Sequence, residues 1–92
     1  MEQYCMLICR SKLLSNNKKV WVDFGENESL LKRFDQNILQ ETHKVSTVDN
    51  IVDALNYMSY LGWQMVHITP FVTDTDGGTY DTFRYLMKRT LA

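Results

Sequence analysis

Little in this sequence either breaks the chain or staples it: 92 residues hold one proline, four glycines and two cysteines. So few breakers exclude a collagen-like or low-complexity chain, and 45% hydrophobic against 23% charged residues excludes a disordered one. Two cysteines also exclude a disulfide-dense scaffold. Cys5 and Cys9 would share one face of an extended strand about 13 Å apart, beyond the roughly 7 Å Cα separation that a disulfide tolerates. They are expected as reduced thiols.

An excess of one charge is missing as well. Ten Lys and Arg stand against eleven Asp and Glu, a net charge of -1. Such a balance gives no chain-wide attraction to phosphate backbones or anionic lipid, so nucleic acid is not an expected partner. The longest apolar run, Tyr4 to Cys9, falls far short of the roughly 20 residues a membrane helix needs, and is too short for a signal-peptide core. No membrane association is expected, and the cytoplasm is the expected compartment. A chain this short has room for one core, and residues 1–92 are read as a single domain. Folding then buries roughly 60–65% of the surface, so self-association would add stabilisation.

Signatures of chemistry are lacking too. The Cys5-x3-Cys9 pair has no second pair, and a structural zinc site needs four convergent ligands. The run Asp74-Thr75-Asp76-Gly77-Gly78 opens like a calcium loop. Its sixth position is Thr79 where glycine is required, and its twelfth is Tyr85 where a bidentate Glu is required. Gly77-Gly78 precede a strand rather than a helix, which excludes a phosphate loop. A cysteine nucleophile needs a neighbouring base such as His67, an adjacency that sequence does not establish. Asp23, Asp49 and Asp53 read as turn, cap and solvated-face residues. No catalytic, cofactor-binding or metal-binding residue is nominated, and no cofactor is expected.

What is present is pattern. Gln3 to Arg10 is apolar at nearly every position, with Tyr4, Met6, Ile8 on one face of a strand and Cys5, Leu7, Cys9 on the other. A strand apolar on both sides belongs inside a sheet covered on both faces, or in one whose second face meets another chain. Ser15, Asn16 and Asn17 favour a turn. Lys18 to Phe24 then alternates as a second strand, Val20, Val22, Phe24 against Lys19, Trp21, Asp23, and Gly25 ends it. From Glu26 to Val45 the reading is an irregular covering segment, with a short helix through Leu30, Leu31, Phe34, Ile38 and Leu39 as the alternative.

Val48, Ile51, Val52, Leu55, Met58 and Leu61 form one helical stripe, capped by Ser46 or Thr47 and closed by Gly62. Trp63 to Val72 reads as a strand, with Trp63, Met65, His67 on one side and Gln64, Val66, Ile68 on the other. Pro70 limits it as a central strand. Asp76-Gly77-Gly78 suit a hairpin turn. The return strand, Tyr80 to Arg89, sets Phe83, Tyr85, Met87 against Thr82, Arg84, Leu86, Lys88. The order β-β-α-β-β implies an α+β fold: an antiparallel sheet of about four strands with one main helix packed on one face.

Ala54-Leu55-Asn56-Tyr57-Met58, then Leu61-Gly62-Trp63-Gln64-Met65-Val66, and finally Phe83-Arg84-Tyr85-Leu86-Met87-Lys88-Arg89 carry a resemblance over roughly the last half of the chain. That half resembles a family of short bacterial proteins of unknown function. There a helix ends in a Gly-Trp-Glu-Leu-Val-type step and a hairpin closes on a Phe-Lys-Arg-type ending. Gln64 and Met65 stand where Glu and Leu are commoner, and Leu86-Met87 precede the basic pair. The resemblance implies the architecture and no reaction.

One helix covers one side of a sheet, yet both sides of the first strand are apolar. The expected function is therefore a non-enzymatic, self-associating or protein-binding module, with a homodimer closing over the face opposite the helix. The alternative is a small-molecule-binding protein or enzyme, its pocket between helix and sheet or at a dimer seam. Tyr4, Met6 and Ile8 are the candidate interface residues; Trp21, Trp63, His67 and Tyr85 are the candidate pocket lining.

Overall fold

The computed structural model describes residues 2–12, 18–75 and 78–90. The expected turn at Ser15, Asn16 and Asn17, and the Asp76-Gly77 part of the hairpin tip, lie outside the described residues. The fold is α+β, a four-stranded antiparallel sheet with helical segments between its second and third strands.

Strand β1 spans Glu2–Lys12 and pairs with β2, Lys18–Asp23; β3, Gln64–Thr75, pairs with β4, Gly78–Thr90. The two hairpins join where β1 lies against β4, giving the order β2-β1-β4-β3. The doubly apolar β1 is thus a central strand, and Pro70 sits in the edge strand β3, where an amide donor is dispensable.

The segment expected to be irregular is helical. It contains α1 (Glu28–Leu31), α2 (Gln36–His43) and a 3-10 turn at Lys44–Thr47. Asp35 caps α2 by accepting from the Asn37 amide at 2.9 Å. Polar composition hid these elements, because their order comes from packing: Leu39, Thr42 and Val45 are buried, and the 3-10 turn lies over β2.

The main helix, α3, spans Ile51–Tyr60 and starts later than expected. Its cap is Asn50, whose Oδ1 accepts from the Asp53 amide at 2.8 Å, whereas Thr47 ends the preceding 3-10 turn and its hydroxyl donates to the Lys44 carbonyl. Val48 lies outside the helix. The buried stripe is also rotated: Ala54 and Met58 are at its centre, and Val52 faces solvent. Gly62, at φ +93°, turns the chain out of the helix as expected.

Cys5, Leu7, Val20, Val22, Tyr85 and Met87 project from one face of the sheet into the core, against Val45, Ala54, Met58 and Trp63. A bulge between Met65 and His67 alters the faces of β3. Met65 stands opposite Met87, His67 opposite Leu86 and Ile68 opposite Tyr85. His67 therefore leaves the side of Met65, and Ile68 joins it, contrary to simple alternation.

Candidate functional site

Directly opposite residues of an antiparallel pair share a face, so the register defines the open side of the sheet. Its middle row holds Asp23, Met6, Leu86 and His67, and the next row holds Trp21, Ile8, Arg84 and Thr69. Towards the start of β1 lie Tyr4, Lys88 and Gln64, with Glu2 beyond them. Towards its end lie Lys19, Arg10 and Thr82, then Lys12 and Tyr80. The helical segments in the core pack on the other face.

The open face has an apolar centre. Tyr4 is 51% exposed, and Met6, Ile8, Trp21 and Leu86 are half-buried. Tyr4 donates its hydroxyl hydrogen bond to Glu2 at 2.8 Å, and Lys88 reaches Glu2 at 3.5 Å. The Tyr4 hydrogen bond, helped by the Lys88 charge, holds the Glu2 carboxyl below its ordinary pKa, and the same bond raises that of the Tyr4 phenol. At the opposite end the Arg10 guanidinium lies 3.8 Å over the ring of Tyr80. Glu2 and Asp23 thus share the half of the face nearer the start of β1 with Lys88, while Arg84, Lys19, Arg10 and Lys12 occupy the other.

Of the residues singled out in the sequence, Tyr4, Met6, Ile8, Trp21 and His67 lie together on this open face. Trp63 and Tyr85 do not: both are buried on the helix side, Trp63 at 2% exposure. Trp21 and His67 are thus separated from Trp63 and Tyr85 by the sheet, and the four do not line one pocket. The Trp63 indole instead donates to the Thr42 hydroxyl at 3.0 Å, and its ring lies 6.1 Å from that of Phe24.

The sheet also separates both thiols from His67. Cys5 and Cys9 are free and project towards the helix side. Burial, reinforced by the Asp23 charge, pushes the Cys5 thiol up to about 12, and burial raises Cys9 against the opposing pull of Lys18. Neither supplies a thiolate at neutral pH, and neither has His67 as a base. Burial also raises the Tyr85 phenol. Among the described residues no group of three His, Cys, Asp or Glu side chains converges as a metal site. Nor is any helix there long and apolar enough to cross a membrane.

Three features escaped the sequence. Beyond the helices, the helix side of the β3–β4 hairpin exposes Ile68, Val72 and Phe83. A groove of about 390 Å³ runs beside Trp63, between Asn56 and Ser59 of α3 and Met65 of β3. A second, of about 310 Å³, lies at the head of β1 against the Phe24–Asn27 loop and Phe34.

Comparison of the chain with protein-family models, with curated proteins and with solved structures returns no match.

Proposed function

We propose that this chain is a self-associating, protein-interaction module of the cytoplasm, in which a second copy covers the open sheet face. The observation that carries this reading is the apolar centre formed by Met6, Ile8, Trp21 and Leu86 on the face away from the core.

Symmetry of the face supports a second copy as the occupant. A two-fold axis across the strands between Met6 and Ile8 places Glu2 of one copy near Lys12 of the other, and Tyr4 near Arg10. The same operation repeats both contacts, as an isologous interface requires. Area supports it too. Four strands about 4.8 Å apart and some 33 Å long present roughly 600 Å² per copy, approaching the roughly 800 Å² per partner of a stable complex. The cytoplasmic placement rests on the two free thiols.

Acrylamide quenching of tryptophan fluorescence tests the reading, because Trp63 is already buried and Trp21 reports on the open face. Quenching is expected to fall as protein concentration rises from nanomolar to tens of micromolar. Quenching that stays constant over that range would remove the open face as the interface.

A further inference from the structure

We propose that β3 pairs edge to edge with β3 of a second copy, each copy seating its Val72 in the groove beside the other's Trp63. β3 is an outer strand of the sheet and runs for 12 residues. The opposite edge is guarded: β2 has 6 residues, among them Lys18, Lys19 and Asp23, and the 3-10 turn lies over it. β3 lacks such guards. Asp74 is its only Asp, Glu, Lys or Arg, and Met65, Val66, Ile68 and Val72 are all exposed along it. Pro70 withholds one amide donor and leaves the rest of the strand able to pair.

The edge is complementary to itself. One end has a hole, the groove bordered by Ser59, Trp63 and Met65; the other has a knob, the exposed Val72 on the same side of the sheet. Hole and knob lie about 26 Å apart along the strand, so a copy cannot fill its own groove. The β3–β4 register fixes where a two-fold axis normal to the sheet must stand to bring them together. Val72 is opposite Asp81 and Met65 opposite Met87, so Trp63, two residues before Met65, is level with Arg89. Midway between Asp81 and Arg89 stands Tyr85, opposite Ile68. An axis at Ile68 sets Val72 of each copy beside Trp63 of the other, and Pro70 opposite Met65. That level is also the level of Leu7, where the axis of the open-face pair crosses. The two axes therefore intersect, and the contacts close on four copies instead of propagating as a fibre.

A contact one strand wide falls below the roughly 1,200 Å² of a stable complex, so pairing is expected at on the order of hundreds of micromolar, above the range in which the open face closes. The test is a dilution series of the isotope-labelled full chain, from tens of micromolar to about one millimolar, followed by NMR. Backbone amide signals of β3 are expected to move with concentration after those of Met6, Ile8 and Leu86 have settled. In a sample mixing differently labelled copies, Val72 methyl groups are expected to show a cross-peak to the Trp63 indole of another copy. Val72→Asp charges the knob and Ser59→Arg fills the groove; each is expected to weaken the β3 response tenfold or more. β3 signals that stay fixed up to one millimolar, a β3 response that both variants keep, or pairing without the Val72 to Trp63 cross-peak would overturn the proposal. The edge contact does not depend on the open face: failure there would show at Met6, Ile8 and Leu86, and the β3 signals would still move.

Discussion

The indole N–H of Trp63 donates to the hydroxyl of Thr42 across 3.0 Å, and that hydroxyl in turn donates to the Ile38 carbonyl at 2.6 Å. Both side chains are buried, so this chain of bonds ties the start of β3 to α2 inside the core. Thr42→Val keeps the volume and leaves the indole N–H buried without its partner. It is expected to cost about 1–3 kcal/mol in urea unfolding, and Thr42→Ser much less. Equal losses for the two would assign the effect to packing instead.

The start of α3 gives a second prediction. Asn50→Ala is expected to lower stability by about 1 kcal/mol, because it removes the acceptor for the Asp53 amide. Thr47→Ala, which removes a hydroxyl bonded only to the preceding 3-10 turn, is expected to cost a few tenths of that. Denaturant midpoints of the two variants distinguish the caps directly.

At Gly62 the strain is conformational. A Cβ there meets only Arg89 Nε at 3.9 Å, an ordinary contact, but φ is +93°. Gly62→Ala is therefore expected to cost about 1–2 kcal/mol through the backbone alone. Gly62→Asn is expected to cost less, since asparagine tolerates left-handed backbone better. Thermal melts of the pair check the ordering.

The Cys5 thiol predicts how the protein responds to alkali. Its pKa rises from an ordinary 9.0 to about 12 on folding, chiefly through burial. Below 9.0 both states hold the proton and the stabilising term is complete. Between 9.0 and about 12 the unfolded chain loses its proton first, so stability falls as pH rises. Cys5→Ala is expected to flatten that fall in urea titrations. In the native protein, iodoacetamide is expected to modify the half-buried Cys9 well before Cys5; equal rates would contradict the burial of Cys5.

How far these features were legible in the sequence varied with their physical origin. Alternation along β1 separates Tyr4, Met6 and Ile8 from Cys5 and Leu7 because a strand's period is two, and that much follows from residue order. The cap of α3 did not follow, since Ser46, Thr47 and Asn50 are all competent cap residues and only packing chooses among them. Helices α1 and α2 were obscured because Asn, Asp and Gln weaken the local signal. Leu39, Thr42 and Val45 regain order only through burial in the folded chain. The bulge after Met65 leaves no mark in a run where every second residue already fits a strand, so the side of His67 was misread.

Self-association through the open face is tested most directly by sedimentation equilibrium on wild type, Ile8→Asp and Val72→Asp at tens of micromolar. Ile8 lies at the centre of the open face; Val72, 63% exposed, lies on the other side of the sheet. The account predicts a dimer for wild type and Val72→Asp, and a monomer for Ile8→Asp with its fold intact by circular dichroism. A monomeric wild type, or a dimer that Val72→Asp dissociates and Ile8→Asp does not, would contradict it.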